Sequence, residues 1–312
     1  MENKIAIVQN PPAYFDKEKT IELVVRYITE AAGSGASLVV FPEAYVTGYP
    51  TWIWRLRPGG DMGVYGEIHE LMRSSAIDLS SSDLDPVKEV AQKLSVTVVL
   101  GLNEIDNTFS GSTLFNTVVV IGQDGEILNH HRKLMPTNPE RMVWGMGDAS
   151  GLRVVETPVG RIGTLICWEN YMPLARYALF AQHLDILIAP TWDVGEVWQA
   201  SMRHIAREGG CFVLSTATAL ESSDIPDNFP QKSDLFPNEE WINGGGAMVV
   251  HPSGSVVAGP LSEKKEILYA DISIEASAKA RRSLDVAGHY SRPDIFTLEI
   301  DRAKKPPVDF RD

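Results

Sequence analysis

Three residues of this 312-residue chain have the types that nucleophilic chemistry at carbon requires: Glu43, Lys133 and Cys167. Cys167 ends the apolar run Ile162-Gly163-Thr164-Leu165-Ile166 and is followed by Trp168-Glu169-Asn170 and a helix-like stretch from Tyr171 to His183. A thiol where a buried strand gives way to a helix start meets unpaired backbone N–H groups and the positive end of the helix dipole, and both favour thiolate. A free cysteine considered alone is more commonly a small buried hydrophobe, so its neighbours must decide. Glu43 follows Leu38-Val39-Val40-Phe41-Pro42 and Lys133 follows Ile127 to Arg132, so all three residues stand just past the C-terminal end of a predicted strand. Open α/β sheets place their sites along that edge. If the three strands are neighbours, a carboxylate, an ammonium and a thiol converge. Glu43 would then take the thiol proton and later protonate a leaving amine, while Lys133 stabilises negative charge on a substrate heteroatom. Taken singly, each charged residue reads as an ordinary surface group; convergence is what gives them a role.

The elements that must position these residues follow an α/β rhythm. Strands are predicted at Ile5 to Gln9, Ser37 to Phe41 and Val96 to Leu102, with helices at Lys17 to Ala32 and Asp85 to Leu94 between them. Leu114 to Ile121 and Glu126 to His131 flank Gly122-Gln123-Asp124-Gly125, which predicts a β-hairpin and a partly antiparallel sheet. A purely parallel sheet is thereby disfavoured. The rhythm resumes with strands at Arg161 to Ile166, Asp185 to Ala189 and Cys211 to Ser215, and a helix at Glu196 to Glu208. A second hairpin is expected over Ala247 to Ala258, and a last strand over Glu266 to Ile272. Thr51 to Ser82, irregular and carrying Trp52, Trp54 and Gly59-Gly60, reads as a long loop or helical insertion of the kind that covers a site. No linker divides the chain, which reads as one domain over residues 1–300 with a charged, Pro-bearing tail at 301–312.

Composition bounds the partners. With 28 basic against 41 acidic residues the formal charge is −13, which disfavours nucleic acid and anionic lipid. The expected protein is soluble: no apolar stretch is long enough to span a bilayer, and no basic-then-apolar leader opens the chain. Cys211 lies in a predicted interior strand, so two unpaired cysteines in a reducing, cytoplasmic setting is the simpler reading. His204 lacks a second ligand at a zinc-like spacing, and no Gly-rich loop marks a nucleotide site, so neither metal nor cofactor is expected.

Around the three residues the chain resembles the nitrilase superfamily of carbon–nitrogen hydrolases, whose catalytic set is Glu, Lys and Cys. The matching segments are Phe41-Pro42-Glu43-Ala44, His131-Arg132-Lys133-Leu134-Met135-Pro136-Thr137 and Leu165-Ile166-Cys167-Trp168-Glu169-Asn170. Gly48-Tyr49-Pro50, Pro136-Thr137-Asn138-Pro139-Glu140-Arg141 followed by Trp144-Gly145, the Trp168-Glu169 pair and Gly288-His289-Tyr290-Ser291-Arg292-Pro293-Asp294 favour its true nitrilase branch. Two positions depart from the branch pattern: Ala149, where Gly is usual, and Thr47, often Pro, which bears on the pocket entrance. The resemblance implies a four-layer αββα sandwich with mixed β-sheets, assembled as a homodimer or a larger spiral or filament through helices. It further implies hydrolysis of a small-molecule nitrile to the carboxylic acid and ammonia through a Cys167 thioimidate and thioester. Glu140 becomes a second glutamate orienting Lys133 or the water, and Tyr49, Trp168, Glu169 and Trp192 become candidates for contacting substrate. Glu169 has a plainer alternative role, capping the helix start.

Three other readings make different demands. An aliphatic amidase or N-carbamoyl hydrolase of the same superfamily would use the same Glu43, Lys133 and Cys167. A thiol hydrolase of the papain type would need a histidine, for which only His130 and His131 are suggestively placed. A non-catalytic filament-forming or partner-binding member would not need the catalytic types that are all present. Among aliphatic, aromatic, arylacetonitrile and cyanide substrates the sequence does not choose.

Overall fold

The computed structural model describes residues 2–304 except Ser110, Asn238 and Glu239, together with Pro306 and Val308; the rest of the predicted tail lies outside the described residues. The first half of the chain supplies β1 (Asn3–Val8), α1 (Lys17–Gly33), β2 (Leu38–Val40), α2 (Met62–Ser74), α3 (Asp85–Leu94), β3 (Thr97–Ile105), β4 (Leu114–Ile121) and β5 (Ile127–Arg132). Next come β6 (Val155–Thr157), β7 (Gly160–Thr164), α4 (Pro173–Phe180), β8 (Ile186–Pro190), α5 (Glu196–Gly209) and β9 (Phe212–Thr216). The remainder is β10 (Ala219–Glu221), α6 (Lys232–Leu235), β11 (Trp241–Gly244), β12 (Met248–Val250), β13 (Val256–Ala258), β14 (Ile267–Ile272) and α7 (Glu275–Ser283).

The strands form two six-stranded sheets, ordered β14-β1-β2-β3-β4-β5 and β13-β12-β9-β8-β7-β6, plus the small β10-β11 pair. Each large sheet has a parallel centre, β1-β2-β3 in one and β7-β8-β9 in the other, flanked by antiparallel strands. Both expected hairpins form: β4 pairs with β5 and β12 with β13, antiparallel.

Side-chain alternation along the strands builds the layers. In β1, Ala6 and Val8 join α1 residues Ile21, Val24 and Ile28 and α3 residues Val87 and Ala91 in an outer core, while Ile5 and Ile7 point the other way. Ile5, Ile7, Val99 and Val118 of the first sheet meet Ile162, Ile186, Ile188 and Leu214 of the second in the central core. The opposite side of the second sheet, with Leu187, Val213 and Met248, is covered by Ala178 and Leu179 of α4 and Met202 and Ile205 of α5. Helix, sheet, sheet, helix is the αββα sandwich. Strands apolar on both faces are what such a sheet requires.

Between Thr51 and Ser82 the chain is a helical insertion, a short 3-10 turn at Thr51–Trp54 followed by α2. Trp52, Ile68 and Met72 pack it into a fourth cluster with Tyr14, Tyr49, Trp144, Phe229 and Phe236. The cluster takes in Ala44 and Tyr49 of the loop after β2 and Val143 and Trp144 of the loop after β5, with Trp192 of the loop after β8 packed against it.

Candidate active site

The three strands named from the sequence are not neighbours. β2 and β5 lie in one sheet with β3 and β4 between them, and β7 belongs to the other sheet. Convergence comes instead from stacking the two sheets face to face, so that the loops after their strands meet across the central core. Close approach of Glu43 to its own sheet depends on Gly101 in β3, where an added Cβ would lie 2.1 Å from the carbonyl oxygen of Pro42. Two residues of the site occupy the left-handed backbone region, Ala44 at φ 48° and Cys167 at φ 51°. Each costs about 1–2 kcal/mol for a side chain with a Cβ, a strain of the kind that collects at functional turns.

A continuous hydrogen-bonded chain links the carboxylates and the ammonium, all buried. Lys133 Nζ donates to Glu43 Oε1 at 2.8 Å and to Glu140 Oε2 at 2.7 Å. Glu140 also accepts from the Tyr49 hydroxyl at 2.6 Å and the Thr137 amide at 2.6 Å, and Tyr49 in turn accepts from Trp54 Nε1 at 3.0 Å. Glu140 is therefore a buried member of the site, not a surface group. Asn116 Nδ2 donates to Glu43 Oε1 at 2.8 Å, whereas the buried Glu43 Oε2 has no hydrogen-bond partner among the described residues. One oxygen of Glu43 is anchored and the other is available.

Charge and burial set the proton positions. Burial pushes the Glu43 carboxyl up to about 7 against the pull of Lys133, with Glu140 adding to the rise. Burial also opposes the Lys133 ammonium, but Glu43, the Cys167 sulfur and Glu140 outweigh it, and Lys133 stays charged. The Cys167 thiol is pushed up to about 12 by burial first and then by Glu43; Lys133 and a hydrogen bond from Thr191 act in the opposite direction. No long helix starts at Cys167: a five-residue 3-10 turn, Cys167–Tyr171, intervenes before α4 begins at Pro173. The dipole expected from the sequence is thus reduced to a short turn, and side chains carry the task of favouring thiolate.

Cys167 opens onto a pocket of about 360 Å³ lined by Tyr49, Trp54, Thr137, Glu140, Trp168, Trp192 and Asp193, room for a small molecule. Tyr49 and Trp192 stack at 4.4 Å between centroids, and Trp168 Nε1 donates to Asp193 Oδ2 at 2.9 Å. Trp52 and Trp198 are core residues, and Thr47 is fully buried and absent from the lining, so it does not shape the entrance.

Glu169 is placed elsewhere than a substrate contact requires. It is 1% exposed, and both of its oxygens are taken by partners away from the substrate. Its oxygens accept from the amides of Leu134 and Ile166 and meet His131 Nε2 at 3.0 and 3.1 Å. The amide of Ile166 makes it the cap of the turn that carries Cys167, and the amide of Leu134 makes it a tie between the lysine loop and the cysteine loop. His131 is committed to Glu169, and His130 Nε2 lies 2.8 Å from Glu104 Oε2; both rings are engaged by carboxylates and not by the Cys167 sulfur, which leaves the papain-type reading without its base.

Two polar contacts of the site were not singled out from the sequence. Asn116, a polar residue inside the apolar run Leu114 to Ile121, carried the signal of a buried amide with a task. Thr191 stands just past the end of β8, the same address as Cys167 past β7.

Comparison with known proteins adds a family to this geometry. The sequence profile of the carbon-nitrogen hydrolases matches residues 4–282. The chain belongs to that family. Nitrilase 3 of Arabidopsis thaliana is 40% identical over 98% of this chain and 89% of its own. The aliphatic nitrilase of Sinorhizobium fredii (strain HH103) is 39% identical over 98% and 97%. Among solved structures, Saccharomyces cerevisiae Nit3, a member of branch 10 of the nitrilase superfamily, superposes with a TM-score of 0.72 at 20% identity, covering 93% of this chain and 96% of that one. This carbon-nitrogen hydrolase therefore shares its fold with the superfamily and its sequence with the nitrilase branch.

Proposed function

We propose that this carbon-nitrogen hydrolase is a nitrilase, converting an organic nitrile and two waters to the carboxylic acid and ammonia. The observation that carries the reading is the Glu43–Lys133–Glu140 chain buried beside Cys167 with Glu43 Oε2 left without a partner. Glu43 Oε2 takes the thiol proton as Cys167 Sγ bonds to the nitrile carbon, and the same proton passes to the nitrile nitrogen to give a thioimidate. Lys133, held by two carboxylates, stabilises the charge that gathers on that nitrogen. Glu43 deprotonates a first water as it adds to the thioimidate carbon and returns that proton to the nitrogen; the hydroxyl of the tetrahedral intermediate then passes its own proton through Glu43 to the same nitrogen, ammonia leaves, and a thioester remains. A second water, activated in the same way, cleaves the thioester to the acid and restores the thiol. Glu140 keeps Lys133 oriented, and Tyr49, Trp54, Trp168 and Trp192 give the substrate an aromatic slot.

Sequence similarity near 40% to proteins named nitrilases supports a nitrile over an amide. Ammonia release from a panel of aliphatic, aromatic and arylacetonitrile substrates, each beside its amide, tests this. Turnover of nitriles, lost in Cys167→Ala, is the expected result; turnover of amides alone would make the protein an amidase. Assembly as a homodimer or larger oligomer belongs to the same reading, supported by the exposed Leu174 and Val197 on the outer helices. A cytoplasmic setting is supported by the two free, buried cysteines.

A further inference from the structure

The parallel register of β7 and β8 pairs Thr164 with Ile188. Three residues further on in sequence, past the ends of the two strands, stand Cys167 and Thr191, and the Thr191 hydroxyl lies 3.2 Å from Cys167 Sγ. Both side chains are buried, Thr191 to 1% exposure and Cys167 to 4%. The amide of Asp193 donates to Thr191 Oγ1 at 2.9 Å, which occupies a lone pair of the hydroxyl. Its single proton then has two acceptors in reach, Cys167 Sγ and the Asp193 carbonyl oxygen at 3.3 Å. An anionic sulfur outcompetes a neutral carbonyl for that proton, because hydrogen bonds to charged acceptors are the stronger ones.

The other groups acting on the thiol, Glu43, Lys133 and Glu140, come from the loops after β2 and β5 of the facing sheet. Two of these are carboxylates that disfavour thiolate, and Lys133 divides its ammonium between them. From the sheet that carries Cys167 the contact is Thr191.

We propose that Thr191 is a positioning residue for the nucleophile, its hydroxyl donating to the Cys167 sulfur as the thiolate forms and fixing the direction from which the sulfur attacks. The inference rests on Cys167 as the nucleophile, not on the identity of the substrate. Thr191 also begins the loop that carries Trp192 and Asp193 to the pocket wall, so the contact ties the nucleophile to the wall that faces the substrate.

Alkylation of Cys167 by iodoacetamide, followed across pH and located by mass spectrometry, reads the thiolate without any nitrile. Thr191→Val keeps the shape and removes the hydroxyl; Thr191→Ser keeps the hydroxyl. The expected result for Thr191→Val is an alkylation profile displaced upward by about one pH unit and a rate near pH 8 lowered about tenfold, the scale of one hydrogen bond to a charged group. Thr191→Ser is expected to stay within about twofold of the parent, as one retained hydrogen bond implies. Where valine prevents folding, Thr191→Ala serves the same comparison. A Thr191→Val profile that overlays the parent overturns the proposal, and so does a Thr191→Ser profile as displaced as that of Thr191→Val, since packing would then be the role. If the profiles shift as expected while no nitrile is turned over, Thr191 keeps its assignment and the nitrilase reading is what fails.

Discussion

Glu43 does its work through an asymmetry between its two oxygens. Oε1 is held by Asn116 and Lys133, and Oε2 has no partner among the described residues. Replacing it with glutamine keeps an anchored oxygen and removes the proton acceptor, so Glu43→Gln is expected to lower kcat by about 10²- to 10⁴-fold, the usual worth of a positioned acid or base. The same substitution has a stability signature. The folded carboxyl titrates near 7, above its ordinary value of 4.5, so the folded state holds a proton that the unfolded chain releases first. That proton favours folding at low pH, and the advantage fades as pH rises through this window. The Tm of the parent minus that of Glu43→Gln should therefore fall between pH 4.5 and 7, measured by scanning calorimetry. A difference that stays flat would place the Glu43 proton elsewhere. At this scale the sequence was most legible where residue types are fixed by chemistry: Glu43, Lys133 and Cys167 each end a strand, and their flanking motifs are specific. It was least legible for Glu169, because a motif shows that a carboxylate follows the cysteine but not that its oxygens are taken by the amides of Leu134 and Ile166.

Elements enter through the way two sheets that share no strand hold one site. The loop after β5 and the turn after β7 are joined by the Glu169 carboxylate, which receives an amide from each. Glu169→Gln replaces one acceptor oxygen by an NH2 group, so one buried N–H of Leu134 or Ile166, or the His131 ring, loses its partner. An unsatisfied buried donor costs about 1–3 kcal/mol, and the variant is expected to melt several degrees lower. Because the tie sets how the lysine loop stands relative to the cysteine turn, kcat should fall further than KM changes. Equal loss of binding and rate would instead make Glu169 a substrate contact after all. Most strands and helices here could be read from their period, since runs such as Ile5 to Val8 and the α1 stripe Ile21, Val24, Ile28 repeat over enough residues to be decisive. Whereas the equally short β2, β12 and β13 are marked by the apolar runs or turn signal around them, the three-residue strands β6 and β10 could not be read. They contain too few alternations to show a period, and β10 exists only through its pairing with β11, some twenty residues away.

For the molecule as a whole, an α/β rhythm alone describes one open sheet as readily as two stacked ones. The second sheet became legible only through the family resemblance, because what separates the two arrangements is long-range: the apolar inner faces of the two sheets pack on each other in the central core. The outer helices then face solvent with apolar residues of their own. On α4, Ala175, Ala178 and Leu179 pack inward, while Leu174 is 66% exposed and Val197, at the start of α5, is 75% exposed. The two helices are joined by the Arg176–Glu208 ion pair at 3.0 Å. Water against large aliphatic side chains on a rigid face is a reason to associate. A second copy of the chain meeting this face would bury Leu174, Val197 and the neighbouring Met172. Leu174→Glu combined with Val197→Glu places two carboxylates there without touching the inward-facing core residues. Light scattering is expected to show the parent as a dimer or a multiple of it and the double variant as a monomer, with circular dichroism unchanged. A double variant that keeps the parent mass would assign the association to another surface, and a monomeric parent would end the assembly argument altogether.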